Sequence, residues 1–257
     1  MKITALLSAL IASVILISCG GYDPPTKLHA NSITEDLPDG RKSPEIFKKY
    51  VPHGNSVMNP GWPSKFDASG VAWNDKRTCT LITRRHVLMA KHYQRRPSTP
   101  VVFHDRQGRF VSRNIIASKA GSGDYAVGLL DKPVPSNYTA YLFPSPSPHL
   151  KAKLMYKPVI VTDQHRRLYF HQIISFSGSN IVFRHNKLKR GHIKNLVSGD
   201  SGNPSFIVVG GKQILIETHY GGGAGVGPFY GDDRVQAEVK KMVAELDSSY
   251  SIRTIQL

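Results

Sequence analysis

The clearest chemical signal in this chain is the run Ser198-Gly199-Asp200-Ser201-Gly202-Asn203-Pro204. A serine between glycines suits a nucleophile, because the backbone can bend sharply there and approach a substrate closely. Adjacent amide hydrogens in such a bend can converge on one point and stabilise an oxyanion that develops there. The run alone fits a plain turn equally well, so the reading depends on partners for Ser201. His92 is one candidate, placed after two apolar runs (81–83 and 86–90) where a general base at a strand end would face a cleft. Asp124 is the other, immediately before the apolar run 125–130. A carboxylate at the mouth of a buried strand is costly unless hydrogen-bonded, and orienting an imidazolium is one good reason to keep it there. Taken singly, His92 also reads as structural and Asp124 as a turn residue.

Positioning three such groups requires a rigid scaffold, and the remaining sequence describes one made of strands. Glycine (22) and proline (17) are plentiful, hydrophobic residues make up 40%, and most apolar runs are short. That composition favours a β-rich, turn-rich globular chain. Strand-like runs fall at 70–73, 78–83, 86–91, 101–104, 110–118 and 125–130, with a hairpin turn expected at 105–108. Residues 132–148 are rich in Pro, Ser and Asn and suit an inter-domain connection. Strand-like runs resume at 153–162, 168–176, 181–184, 205–209 and 213–219, the last two joined by Gly210-Gly211, a two-residue hairpin signal. Val235, Val239, Met242, Val243 and Leu246 recur at helical spacing, with Asp232 or Asp233 available as cap. The expected fold is all-β: two antiparallel six-stranded β-barrels with a C-terminal α-helix. Strand pattern alone fits this outline without requiring it.

The N-terminus reads as a targeting segment: Lys2 precedes an apolar stretch, 3–17, that is short for a membrane span. It ends in Leu16-Ile17-Ser18-Cys19-Gly20-Gly21, which resembles the lipobox of bacterial lipoproteins, whose cysteine is acylated. An ordinary signal peptide with an incidental cysteine is the alternative. Residues 20–64 are polar with little periodicity and suggest a tether, with a short helix near 44–50. The expected domains are therefore 1–18 signal peptide, 19–64 lipid-anchored tether, 65–140 first barrel, 141–230 second barrel and 231–257 helix and tail. Cys79 is the only other cysteine; with Cys19 lipidated, no structural disulfide remains and Cys79 reads as a small buried hydrophobe. The net charge of +16, from 34 Lys and Arg against 18 Asp and Glu, attracts anionic surfaces and substrates. No zinc-finger or RNA-recognition signature points to nucleic acid, no histidine spacing points to a metal, with Cys79, His86 and His92 the nearest to a zinc set, and no cofactor is expected.

The three runs, in the order His, Asp, Ser, resemble the signature segments of chymotrypsin-like serine proteases over roughly residues 66–246. Gly199 to Pro204 matches Gly-Asp-Ser-Gly-Gly-Pro at every position but Asn203; Val87 to His92 resembles the strand leading into Ala-Ala-His; Asp124 to Leu129 resembles Asp-Ile-Ala-Leu-Leu. The resemblance implies a Ser201–His92–Asp124 triad, with the amides of Gly199 and Ser201 as oxyanion hole and a cleft between two barrels. It also implies peptide or protein substrates; a monomer is expected, and the lipobox resemblance implies a bacterial-envelope location through lipid on Cys19, with secretion as the alternative. Two departures stand out. Tyr93 replaces the cysteine that often follows the histidine, and no Ile-Val-Gly-Gly start exists to supply an ammonium to the aspartate before the serine. Asp200 is therefore expected to find another partner, without a zymogen switch. For specificity, Asn195 falls where trypsins carry aspartate, and His219-Tyr220-Gly221-Gly222 resembles the His-Trp-Gly-Gly of bacterial glutamyl endopeptidases. Leu196 stands where those enzymes usually offer a hydroxyl, so an acidic preference and an apolar pocket both remain open. The alternative in another class is a non-catalytic lipoprotein of the same fold that binds anionic envelope polymers.

Overall fold

A computed structural model describes residues 43–186 and 192–257. The signal segment, Cys19, the first part of the expected tether and the basic run 187–190 lie outside the described residues. The first described elements are a two-stranded ribbon, β1 (Phe47–Lys49) with β2 (Val57–Met58). Six strands follow: β3 (Val71–Ala72), β4 (Cys79–Leu81), β5 (His86–Met89), β6 (Pro100–His104), β7 (Phe110–Ala120) and β8 (Ala126–Leu130). They form an antiparallel sheet in the order β3-β4-β5-β8-β7-β6. β5 and β8, in its middle, are buried at every residue, which is why, His86 apart, their sequences are apolar without alternation.

The second set comprises β9 (Phe143–Pro144), a short helix α1 (Leu150–Leu154), β10 (Pro158–Thr162), β11 (Leu168–Ser177), β12 (Asn180–His185), β13 (Pro204–Val209), β14 (Lys212–Thr218) and β15 (Val226–Pro228). Its six-stranded sheet runs β14-β13-β10-β11-β12-β15. Helix α2 (Asp233–Leu246) follows, capped by Asp232, whose side chain accepts from the amides of Arg234 and Val235. It lays Val235, Val239, Met242 and Val243 into the core that joins the two halves. The last strand, β16 (Thr254–Ile255), pairs in parallel with β9. The fold is thus all-β, two six-stranded antiparallel barrels with a C-terminal helix, as the strand count suggested.

The two barrels close differently. At the seam between β3 and β6, Asn74 takes the place of a strand partner: its Oδ1 accepts from Val102 N (2.9 Å) and its Nδ2 donates to Pro100 O (3.0 Å). Arg95, fully buried, spans the same seam by donating to Ala72 O, Pro100 O, Asn74 Oδ1 and Arg77 O at 2.6–3.2 Å. The second seam is closed by main chain, Tyr230 N to Ile216 O at 2.9 Å.

Two expectations from the sequence need correction. Residues 43–64 are not tether, and no helix forms at 44–50. Ile46 and Phe47 are buried in the shared core, Ile46 N donates to Arg166 O, and His104 Nε2 lies 3.1 and 2.9 Å from the carbonyls of Val51 and Gly54. Two apolar side chains and a ring cluster of Phe47, Tyr50, Trp73 and His104 fasten this segment without any periodic pattern. Cys79 is a free thiol with no exposure, its pKa raised by burial. The turn at 105–108, the Gly210-Gly211 hairpin and the terminal helix lie where the sequence placed them.

Candidate functional site

His92 sits in a single 3-10 turn, Lys91–Tyr93, directly after β5, rather than on the strand itself. The turn is tied to the loop before β8: His92 N donates to Asp124 Oδ1 at 2.9 Å, and Lys91 Nζ donates to Gly121 O at 3.0 Å. His92 Nδ1 lies 2.5 Å from Asp124 Oδ2, and His92 Nε2 lies 3.0 Å from Ser201 Oγ. Asp124 thus holds both the backbone and the ring of His92, which fixes the ring's orientation toward the serine. The loop bearing Asp124 is itself gripped by α2. Glu238 accepts from Ser122 N (2.8 Å), Ser122 Oγ (2.6 Å) and Tyr125 OH (2.6 Å), and the Ser122 hydrogen bonds hold its carboxyl below its usual range.

Ser201 arrives from the other barrel, just before β13. Asp200 N donates to Val197 O at 3.0 Å, closing a four-residue turn with Gly199 third at φ +95°, a conformation suited to glycine. Within that turn, Gln164 Nε2 donates to Ser198 O at 3.1 Å. Because the peptide is planar and trans, this contact points the Gly199 N–H away from Gln164. Among the described residues, neither the Gly199 nor the Ser201 amide donates a hydrogen bond. Both stay available, as an oxyanion hole requires. Gly202, at φ +83°, lets the turn press against the first barrel: a Cβ there would lie 3.1 Å from Thr78 O and 3.3 Å from Ala90 N. Asn203, the departure from the family motif, joins the halves. Its Oδ1 accepts from Trp73 Nε1 (2.9 Å) and its Nδ2 donates to Asp200 O (3.1 Å).

Asp200 does have another partner. Lys194 Nζ lies 3.1 Å from Asp200 Oδ2 and 2.7 Å from Asp163 Oδ2, with both carboxylates buried. Asp200 also accepts from Val197 N and Gln164 N, and Asp163 from His165 N, Arg167 N and Tyr169 OH. Burial next to Asp163 pushes the Tyr169 hydroxyl up to about 12. One ammonium is shared between two carboxylates, and these neutral donors hold the negative charge that it leaves over.

Beside Ser201 lies a pocket of about 410 Å³ whose lining includes Leu196, Ser198, His219, Tyr220 and Gly221. Three of the four expected specificity residues, His219, Tyr220 and Gly221, border it. Asn195 does not; it is exposed and outside the lining. Alternation along the extended chain is the reason. Lys194 turns inward to its carboxylates and Leu196, bridged to Gly223, faces the pocket, so the residue between them faces out. Behind the pocket, His219 Nδ1 lies 2.8 Å from Glu217 Oε1, both side chains fully buried, a pairing the sequence reading missed. Nearby, burial lowers His171 to about 4, helped by His185 and His219 and opposed by its contact with Ala224 O. Among the described residues no group of three His, Cys, Asp or Glu side chains could hold a metal ion.

No family model matches this chain, and no curated protein matches it.

Proposed function

We propose that this protein is a serine endopeptidase that cleaves peptide bonds through an acyl-enzyme. The supporting observation is the unbroken relay Asp124–His92–Ser201, at 2.5 and 3.0 Å, beside two undonated amides and a pocket. In this reading Ser201 Oγ attacks the scissile carbonyl while His92 Nε2 takes its proton. Negative charge on the carbonyl oxygen is met by the amides of Gly199 and Ser201. His92 then returns the proton to the departing amine, and water repeats the sequence to release the acyl group. Asp124 keeps the Nδ1–H tautomer and stabilises the imidazolium without taking the proton. The pocket beside Ser201 takes the side chain of the residue that supplies the carbonyl.

An acidic preference in that pocket would rest on His219. Glu217 behind it offsets any imidazolium charge, and Leu196 adds apolar surface. The chain is further proposed to act as a monomer at the bacterial envelope, held by lipid on Cys19. The non-catalytic binding reading has no use for a residue that fixes the histidine ring or for a serine within reach of its Nε2.

Treatment of the full chain with a fluorophosphonate probe, followed by peptide mapping, tests this. The expected result is a single adduct on Ser201 that disappears in His92→Ala, a loss of at least about 10⁴-fold in labelling rate. An unlabelled protein whose fold is intact would falsify the proposal and leave the binding reading.

A further inference from the structure

The relay has a cavity on each side. Ser201 borders the pocket containing His219, while His92 borders a second, larger cleft of about 940 Å³. This cleft's lining is strongly basic. Lys76, Arg77, Lys91 and Arg96 all face it, against a single carboxylate, Asp75. That carboxylate is engaged twice by Arg77, at 3.1 Å through each oxygen. Lys91 meets only the neutral carbonyl of Gly121, and Lys76 and Arg96 are exposed with no ion pair among the described residues. Positive charge is therefore concentrated, and largely uncompensated, where a substrate crossing the relay would emerge past His92.

The chemistry fixes which half of the substrate that is. A general acid must reach the leaving nitrogen, so the departing half lies on the His92 side of the serine. The acyl half lies with the amides and the pocket. Resting on the proteolytic reading, we propose that the basic cleft selects peptides carrying Asp or Glu in the first two positions after the scissile bond. Such a cleft concentrates field on an anionic chain and steers its approach, an effect that salt screens over about 10 Å at 0.1 M.

The test uses the full chain in detergent, with Ser201 labelling measured on the same preparation. Two quenched peptides are compared, identical up to the scissile bond and followed by Asp-Glu or by Asn-Gln. At low salt the acidic peptide should show a kcat/KM on the order of tenfold higher, an advantage that shrinks as ionic strength rises. Lys76→Gln with Arg96→Gln should bring the ratio toward one, and Lys76→Glu with Arg96→Glu should invert it. Equal rates for the two peptides would overturn the proposal, as would an acid preference that survives charge reversal. So would a preference that follows the acid to the acyl side, or polyphosphate suppressing both peptides alike, which marks a polyanion site. If Ser201 takes no label and no peptide is cut, the proteolytic reading fails. Fluorescence anisotropy of the Asp-Glu peptide then decides the cleft separately: binding lost on charge reversal upholds it, and no binding overturns it.

Discussion

Among the described residues, Arg95 in the first half and Lys194 in the second are sheltered cations satisfied in opposite ways. Arg95 in the first barrel is surrounded by neutral oxygens, three of them main-chain carbonyls, and its planar fork spans a seam that the strands leave open. Lys194 in the second half sits between the carboxylates of Asp163 and Asp200, and Asp200 is the neighbour of Ser201. The first cation holds strands together; the second offsets part of the charge of two carboxylates beneath the turn that carries Ser201. Defects in the half that carries His92 should therefore spread as instability, while defects in the half that carries Ser201 should, on the proposed function, fall on the chemistry.

The largest effect is expected from Lys194→Met. Two carboxylates would be left without a cation, at a cost of about 3–5 kcal/mol, and the 197–200 turn would no longer be pinned beneath the amides. Fluorophosphonate labelling of the folded fraction should slow by roughly 100-fold or more. Labelling at the native rate would break the comparison at its stronger end. Next comes Arg95→Met, which leaves buried carbonyls without donors and should lower stability by about 2–4 kcal/mol in urea melts. The labelling rate per folded molecule should stay near the native value; a fall matching that of Lys194→Met would erase the distinction between the halves.

The smallest effect is a shared response to acid. His86 in the first barrel and His171 in the second are each lowered to about 4, mainly by burial. A folded pKa below the unfolded one means that their contribution is complete above about pH 6.5 and is lost as pH falls toward 4. At pH 5 each should cost about 1–2 kcal/mol. The melting temperature at pH 5 should then lie several degrees below that at pH 7.5. An unchanged melting temperature would show that neither imidazole is held neutral by the fold.

The features written into the sequence are those set by local pattern. Short apolar runs between turn residues predict the strands of both sheets except β15, whose three residues include a glycine and a proline and form no such run, and a period of three to four predicts α2. Ser201, His92 and Asp124 stand out because glycines and buried strands flank them. What escaped is the long-range polar matching. Nothing local links Lys194 to Asp163, 31 positions earlier, or Gln164 to the Ser198 carbonyl, 34 positions later. Nor does the sequence distinguish Arg95, fully buried, from Arg96 beside it, which is exposed. Asn195 went astray for a different reason: counting back from the serine gives a position, but the facing of an extended residue depends on its neighbours' contacts. Residues 43–64 looked like linker because the side chains that reach the core, Ile46 and Phe47 with Tyr50, Met58 and Trp62 partly buried against them, follow no regular spacing.

The grip of Glu238 on the Asp124 loop carries a consequence in time. Helix α2 and β16 follow all three relay residues in the chain, so they leave the ribosome after them. Until they dock, the loop around Ser122 and Tyr125 lacks the carboxylate that accepts three of its donors. A partly emerged chain already contains its serine, histidine and aspartate yet lacks the clasp that sets the aspartate in place. On the proposed function, completion of the site is thereby coupled to completion of the chain, and its chemistry waits until the last elements have docked.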